Sequence, residues 1–342
     1  MGRSTRFPNL RPKWMLTHPT GGFMGTEALR GLNLESFSTI YFVTHKNYET
    51  EYMFIDGFVS ELRKINTQCT IEFVLLDEPT RSQPETVYQC IKKMGITGPI
   101  LVKDSDNYFR ATIGGEGNVV CYFDLNDGDQ FNARNKSYIQ FDTNGLINNI
   151  VEKKIISSTF SVGGYGFESA DTFCEYFKQL DHLTSEIYMS NIIFQMLLSG
   201  HKFTGIKTTD YEDWGTLEEW NKYKKSFRTL FVDLDGVLIE NTSVHMRPFI
   251  GSGTPIHNNI SLLKELYKKG RTKIIITTAR PSESKQETEL ELQKNNIPYD
   301  LLIMDLPHSQ RIIINDFAKS NPYPSCGAIN LERNSDKLDV YL

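Results

Sequence analysis

Phe227-Arg228-Thr229-Leu230-Phe231-Val232-Asp233-Leu234-Asp235-Gly236-Val237 reads as an apolar strand that delivers two carboxylates, one residue apart, at its end. A strand finishing this way puts the first carboxylate at the rim of a sheet and the second in the turn beyond it. In open α/β sheets ligands sit at the carboxyl ends of the strands, so chemistry is expected here. The two acids suit a division of labour at phosphorus. One attacks and forms an aspartyl phosphate, splitting hydrolysis into two easier displacements. The other gives a proton to the leaving oxygen and later withdraws one from the attacking water.

Two later stretches extend the pattern. Ile274-Ile275-Ile276-Thr277-Thr278-Ala279-Arg280 predicts a strand ending in threonine, whose hydroxyl can hydrogen-bond a transferring phosphoryl group. Arg311-Ile312-Ile313-Ile314-Asn315-Asp316 predicts another, ending in a carboxylate suited to Mg²⁺, a hard cation that prefers oxygen ligands. The ordered set resembles the haloacid dehalogenase (HAD) superfamily of phosphohydrolases, over about 227–330. That resemblance implies Asp233 as nucleophile, Asp235 as acid/base and Thr278 as the phosphate-binding hydroxyl, with Asp233, Asp235 and Asp316 around Mg²⁺. Where the family carries a lysine ahead of its last strand, the chain reads Met304-Asp305-Leu306-Pro307-His308-Ser309-Gln310-Arg311, and Arg311 takes that role. Asn315-Asp316 stands where paired aspartates are common. The gaps between Asp235, Thr278 and Asp316 are filled by loop, helix and strand, with no room for a large cap. The site is expected to stand open, or to be closed by the N-terminal domain or by another subunit of a homo-oligomer.

Outward from this region the same alternation continues. Thr39–His45, Thr70–Leu76 and Pro99–Lys103 are short, rich in β-branched and aromatic residues, and separated by amphipathic stretches such as 52–65. This predicts α/β architecture with largely parallel sheets. The polar, lysine-rich stretch Asn221–Ser226 marks the boundary, giving domains 1–223 and 224–342.

The first domain carries a second set of candidates. Gly2-Arg3-Ser4-Thr5-Arg6-Phe7, followed by Arg11-Pro12-Lys13-Trp14, is small, flexible and cationic. Such a loop brings backbone N–H groups and an arginine against a triphosphate, with a lysine reaching the reacting phosphoryl group. Lys103-Asp104-Ser105-Asp106 ends a strand in acids, and Asp213-Trp214-Gly215-Thr216 supplies another acid in a tight turn, where Asp213 also suits a helix cap. Glu152-Lys153-Lys154 closes a third strand, and Gly163-Gly164 allows close approach of a ligand.

Together these stretches resemble the sugar-phosphate nucleotidyltransferases, from Gly2 to about Tyr223. The resemblance implies a Rossmann-like (GT-A-like) domain, lacking the strand that ordinarily precedes the glycine-rich loop, fused to a capless HAD-like domain that is also Rossmann-like. It implies that Gly2, Arg3, Ser4, Arg6 and Lys13 meet a nucleoside triphosphate and that Asp106 and Asp213 bind Mg²⁺. Glu152 would hold a phosphorylated sugar or polyol, Lys153 its phosphate, Gly164 would border the ligand, and Gln83 would read the base.

Composition narrows the classes. A formal net charge of −5 gives no electrostatic argument for nucleic acid or an anionic membrane as partner. Five scattered cysteines without metal-site spacing read as reduced thiols, and no apolar run approaches membrane-spanning length, so the cytoplasm is expected. The expectation is a bifunctional enzyme of activated-sugar or polyol biosynthesis for surface polysaccharide, joining nucleotidyl transfer to phosphomonoester hydrolysis. A phosphatase with an inactive nucleotide- or substrate-binding N-terminal domain is the alternative.

Overall fold

The computed structural model describes residues 10–65, 68–114, 117–127, 135–182, 186–241, 253–318 and 324–342. The chain divides into two compact units, one reaching to Trp220 and the other Asn221–Leu342.

In the first unit, β1 (Thr39–His45) and β2 (Thr70–Leu76) pair in parallel as a two-stranded sheet. A six-stranded sheet is built from β3 (Ile100–Lys103), β5 (Asn118–Asp124), β6 (Ser137–Phe141), β7 (Leu146–Glu152), β8 (Thr159–Phe167) and β9 (Phe203–Lys207). Its order is β3-β8-β5-β9-β7-β6, with β8 also touching β6. A ribbon of β4 (Asn107–Arg110) and β10 (Thr209–Asp213) completes the strands of this unit. Among the described residues of this unit, strands pair in parallel only at β1–β2 and β5–β9, beside an isolated parallel bridge between Leu32 and Ala111, so the expectation of largely parallel sheets is corrected for this unit. The reason is local. β6 and β7 are joined by the turn at Asp142, whose carboxylate accepts from the N–H groups of Asn144 and Leu146, and so short a link can only return the chain antiparallel.

Helices cover this sheet. α1 (Gln83–Met94) starts where Ser82 Oγ accepts from Glu85 N, has Pro84 in its first turn, and ends at left-handed Gly95. α2 (Ala170–Leu180), capped by Ser169, turns Phe173, Phe177 and Leu180 into the core, where they join Ile192, Ile193 and Met196 of α3 (Met189–Leu198). A separate aromatic cluster holds Trp14 against Phe42, Phe54 and Phe58. α4 (Leu217–Ser226) follows β10.

The second unit is a parallel three-stranded sheet, β11 (Arg228–Asp233), β12 (Thr272–Thr277) and β13 (Leu301–Ile303), with α5 (His257–Lys268) and α6 (Lys285–Lys294). Its core gathers Val232, Leu234, Leu263, Ile274, Ile276 and Leu292. The strand expected at Arg311–Asp316 is not formed: these residues are coil, and Ile314 is 94% exposed. A β-branched run becomes a strand only where a neighbour supplies a ladder and a core to pack against. Among the described residues, β11 pairs with β12 alone, and Ile312–Ile314 take no part in the core. No described helix is long and apolar enough to cross a membrane.

Candidate active sites

The first site lies where β3, the β4–β10 ribbon and the β6–β7 hairpin end. Lys13 sits in a single helical turn, Lys13–Met15, fixed by Trp14 in its aromatic cluster and by buried Met15. Its ammonium group is paired with Asp106. Asp106 and Asp213 are neighbours through the ribbon: Asp213 stands opposite Asn107, and Trp214 N donates to Asp106 O at 3.0 Å. Gly215 N donates to Asp213 Oδ1 at 2.8 Å, so the predicted tight turn is present.

Asp213 has a lysine of its own, Lys136, which lies just before β6. Lys136 Nζ also donates to Tyr211 Oη at 2.7 Å and lies 5.2 Å from the Tyr211 ring centre and 5.7 Å from that of Phe160. The next residue, Ser137, donates to Glu152 from directly across the hairpin, and Ser190 Oγ donates to the same carboxylate oxygen at 2.8 Å. Lys153 follows with a left-handed φ of 54° and donates to Tyr188 Oη at 2.6 Å.

The turn carrying the acids is tied from beneath. Lys103 Nζ donates to Asp104 O, Asn107 O and Asn107 Oδ1 at 2.7, 3.1 and 2.6 Å, and lies 4.6 Å from the Phe109 ring centre. Burial lowers its pKa to about 8, opposed by Asp104 and Asp106. Burial raises the Asp104 carboxyl to about 6, and the neighbouring charge of Asp106 adds to this against Lys103. Gln83 donates to Asp104, so the side chain expected to read a base is engaged by the acid turn.

Gly163 and Gly164 lie inside β8. A Cβ on Gly163 would meet Asp104 Oδ2 at 2.3 Å, and one on Gly164 would meet Cys121 Sγ and Phe109 at 2.8 Å. The protein's own side chains therefore approach both glycines on the side where a Cβ would stand. Gly2, Arg3, Ser4 and Arg6 lie outside the described residues.

In the second unit, Asp233 ends β11 and Arg311 Nη1 reaches its Oδ1 at 3.2 Å. Thr278 Oγ1 donates to Asp235 Oδ2 at 3.2 Å. Four of the five residues expected here are thus assembled as two contacting pairs at the end of β11. Asp316 is not with them; it is exposed in coil, its N–H on Asn315 Oδ1, because the strand that would have carried it is not formed.

Sequence reasoning missed the group that dominates this site. Arg280 grips both oxygens of Asp235, with Nη2 to Oδ1 at 2.6 Å and Nε to Oδ2 at 3.0 Å, while its Nη1 reaches Glu291 Oε2 at 2.6 Å. Burial works against the Arg280 charge, but Asp235 and Glu291 more than offset it and its pKa is raised. No cluster of three or more His, Cys, Asp or Glu placed to hold a metal ion occurs among the described residues.

No protein-family model and no curated protein matches the chain. Solved structures do. The nucleoside-diphosphate-sugar pyrophosphorylase from Vibrio cholerae superimposes with a TM-score of 0.54 at 17% identity, covering 65% of this chain and 95% of its own. A UDP-glucose pyrophosphorylase in its apo form gives a TM-score of 0.50 at 16% identity, covering 66% and 94%. At this identity the likeness defines a fold: the chain contains an α/β domain with the fold of sugar-phosphate nucleotidyltransferases.

Proposed function

We propose that the first unit, taken as the domain 1–223, transfers a nucleotidyl group from a nucleoside triphosphate to a phosphorylated sugar or polyol and releases pyrophosphate. The observation that carries this reading is the pair Asp106 and Asp213, side by side on one ribbon and each faced by a lysine. The fold shared with pyrophosphorylases supports it. Mg²⁺ is commonly bound by one or two carboxylates plus substrate phosphates, and Asp106 and Asp213 would hold it once Lys13 and Lys136, which now occupy one oxygen of each, turn to those phosphates. Bound there, the ion would neutralise triphosphate charge.

The chain's own residues account for the rest. Lys13 meets the triphosphate, and Glu152, oriented by Ser137 and Ser190, accepts from acceptor hydroxyls. Lys153 draws the acceptor's phosphate. Catalysis consists mainly of positioning and charge neutralisation around an in-line displacement at the α-phosphorus. The products are activated sugars or polyols, the precursors of surface polysaccharide, made in the cytoplasm.

For the second unit, taken as 224–342, we propose hydrolysis of a phosphomonoester through an aspartyl phosphate on Asp233. Arg311 is the cation at the nucleophile, and Thr278 and Asp235 lie beside it. The donor set does not fit Mg²⁺ as arranged: both Asp235 oxygens accept from Arg280, and Asp316 is in exposed coil. No step is therefore assigned to a metal in this unit.

The test combines both units. The chain is incubated with Mg²⁺, each nucleoside triphosphate and a panel of phosphorylated sugars and polyols, with pyrophosphate and inorganic phosphate followed separately. Pyrophosphate is expected for one pairing and is lost in Asp106→Ala, while phosphate release is lost only in Asp233→Asn. Phosphate without pyrophosphate under every pairing would overturn the transferase reading and leave a phosphatase with an inactive N-terminal domain.

A further inference from the structure

We propose that Lys136 is a catalytic residue of the transferase site, its ammonium group contacting the acceptor's phosphate as that phosphate meets the α-phosphorus. The assignment rests on the nucleotidyltransferase reading and adds to it a residue: recognition of the acceptor's phosphate is shared by two lysines, Lys153 and Lys136.

Lys136 lies between the two halves of the site. On one side its Nζ is paired with Asp213, and Asp213 is joined through the ribbon to the turn of Asp106. On the other side its backbone oxygen accepts from Lys153 N at 2.9 Å, and its neighbour Ser137 holds Glu152. No other described lysine is tied at once to an acid of the Asp106–Asp213 pair and to the backbone of the Glu152–Lys153 pair. A phosphate bound by Lys153 and moving toward a nucleotide held at Asp106 and Asp213 passes Lys136.

The Lys136 side chain is only 13% exposed, and Asp213 only 16%. A buried ion pair is a poor device for stability, since apolar residues of similar volume often do as well. Lys136 Nζ has one carboxylate, one phenol and two aromatic faces as neighbours. None of these locks it as the three-oxygen cage locks Lys103. A lysine is a compact point charge on a flexible stem with three donors, so Nζ can keep Asp213 or Tyr211 and still offer a donor to a phosphate.

The step balances without a proton from Lys136. An acceptor phosphate oxygen bonds to the α-phosphorus, the bond from the α-phosphorus to the oxygen bridging to the β-phosphorus breaks, and pyrophosphate leaves with that electron pair. Lys136 supplies positive charge where two anions approach.

The test measures pyrophosphate release by the full chain with each substrate varied in turn, for wild type, Lys136→Met and Lys136→Arg. Titration with inorganic phosphate serves as a direct binding probe. Lys136→Met is expected to lower kcat about 100-fold, the scale of losing one donor to developing charge. Its KM for the acceptor should rise about tenfold, that for the triphosphate should stay within about threefold, and phosphate binding should weaken. Lys136→Arg, which keeps the pair with Asp213, should recover about tenfold of kcat; if the methionine variant does not fold, the arginine variant carries the test through its raised acceptor KM at unchanged thermal midpoint. A lowered thermal midpoint with kcat and both KM values within threefold of wild type would overturn the assignment and leave Lys136 structural. No pyrophosphate from wild type with any pairing would overturn the underlying reading, and this assignment with it.

Discussion

Removing Arg280 should destabilise the second unit by about 4 kcal/mol, and removing its partner as well should restore most of that loss. The Arg280 and Glu291 side chains are each 2% exposed, and Asp235 is 15% exposed. Arg280→Met leaves the Glu291 carboxylate buried beside one remaining donor among the described residues, Gly253 N at 2.8 Å. Breaking a buried pair from one side costs about 3–5 kcal/mol, because the orphaned charge stays desolvated. Asp235 adds less, since water reaches it and Thr278 still donates to it. In Arg280→Met/Glu291→Met no buried charge remains unpaired at the inner end, and the net cost should fall to about 1–2 kcal/mol. All three tryptophans (Trp14, Trp214 and Trp220) belong to the first unit, so their fluorescence does not follow this change. The suitable readout is hydrogen exchange of the β12 amides Ile274–Thr277 across a urea series, which gives a local opening free energy. A cost below about 1 kcal/mol for Arg280→Met, or a double variant no better than the single one, would refute the reasoning.

Asp104 gives a pH signature. Its folded pKa of about 6 lies above the ordinary 3.8, so between these values the folded state holds a proton that the unfolded chain has released. Stability of the first unit should therefore fall as pH rises from about 4 to 6, by at most about 3 kcal/mol, and Asp104→Asn should flatten the slope in tryptophan-monitored unfolding. Lys103 works in a higher window: its folded pKa of about 8 lies below the ordinary 10.5, so stability should rise between them, and the rise should be absent in Lys103→Met. Gly163→Ala should lower the thermal midpoint by several degrees, because φ is +79° and the added methyl group meets the Asp104 carboxylate; an unchanged midpoint would mean that the turn can move aside.

Much of both sites was legible because strand ends are legible. Apolar runs closing in Asp or Thr at Asp106, Asp233 and Thr278 declared where carboxylates and hydroxyls meet a sheet rim, and the structure gathers them there. Arg311–Asp316 shows the limit of that signal. Its composition is as strand-like as that of β12, but strand formation depends on a neighbour, which the sequence of the run does not contain. The partners of the acids were harder to see because they come from distant segments. Arg280 reads in the sequence as the end of a strand, and nothing in its neighbourhood says that Glu291, one helical element later, turns inward to meet it.

Lys136 is legible from the register of its hairpin. Phe141-Asp142-Thr143-Asn144-Gly145 is a turn signal between two alternating runs, Ser137–Phe141 and Leu146–Glu152. Folding that hairpin places Ser137 opposite Glu152, which brings the residue before it level with Lys153. Motif reading looks along the chain from each acid and finds Glu152-Lys153. Register looks across it and finds the second lysine, with its charge already directed at Asp213. A cation that joins two halves of a site in this way carries no local signature, because each half is recognisable alone and the joining residue belongs to neither.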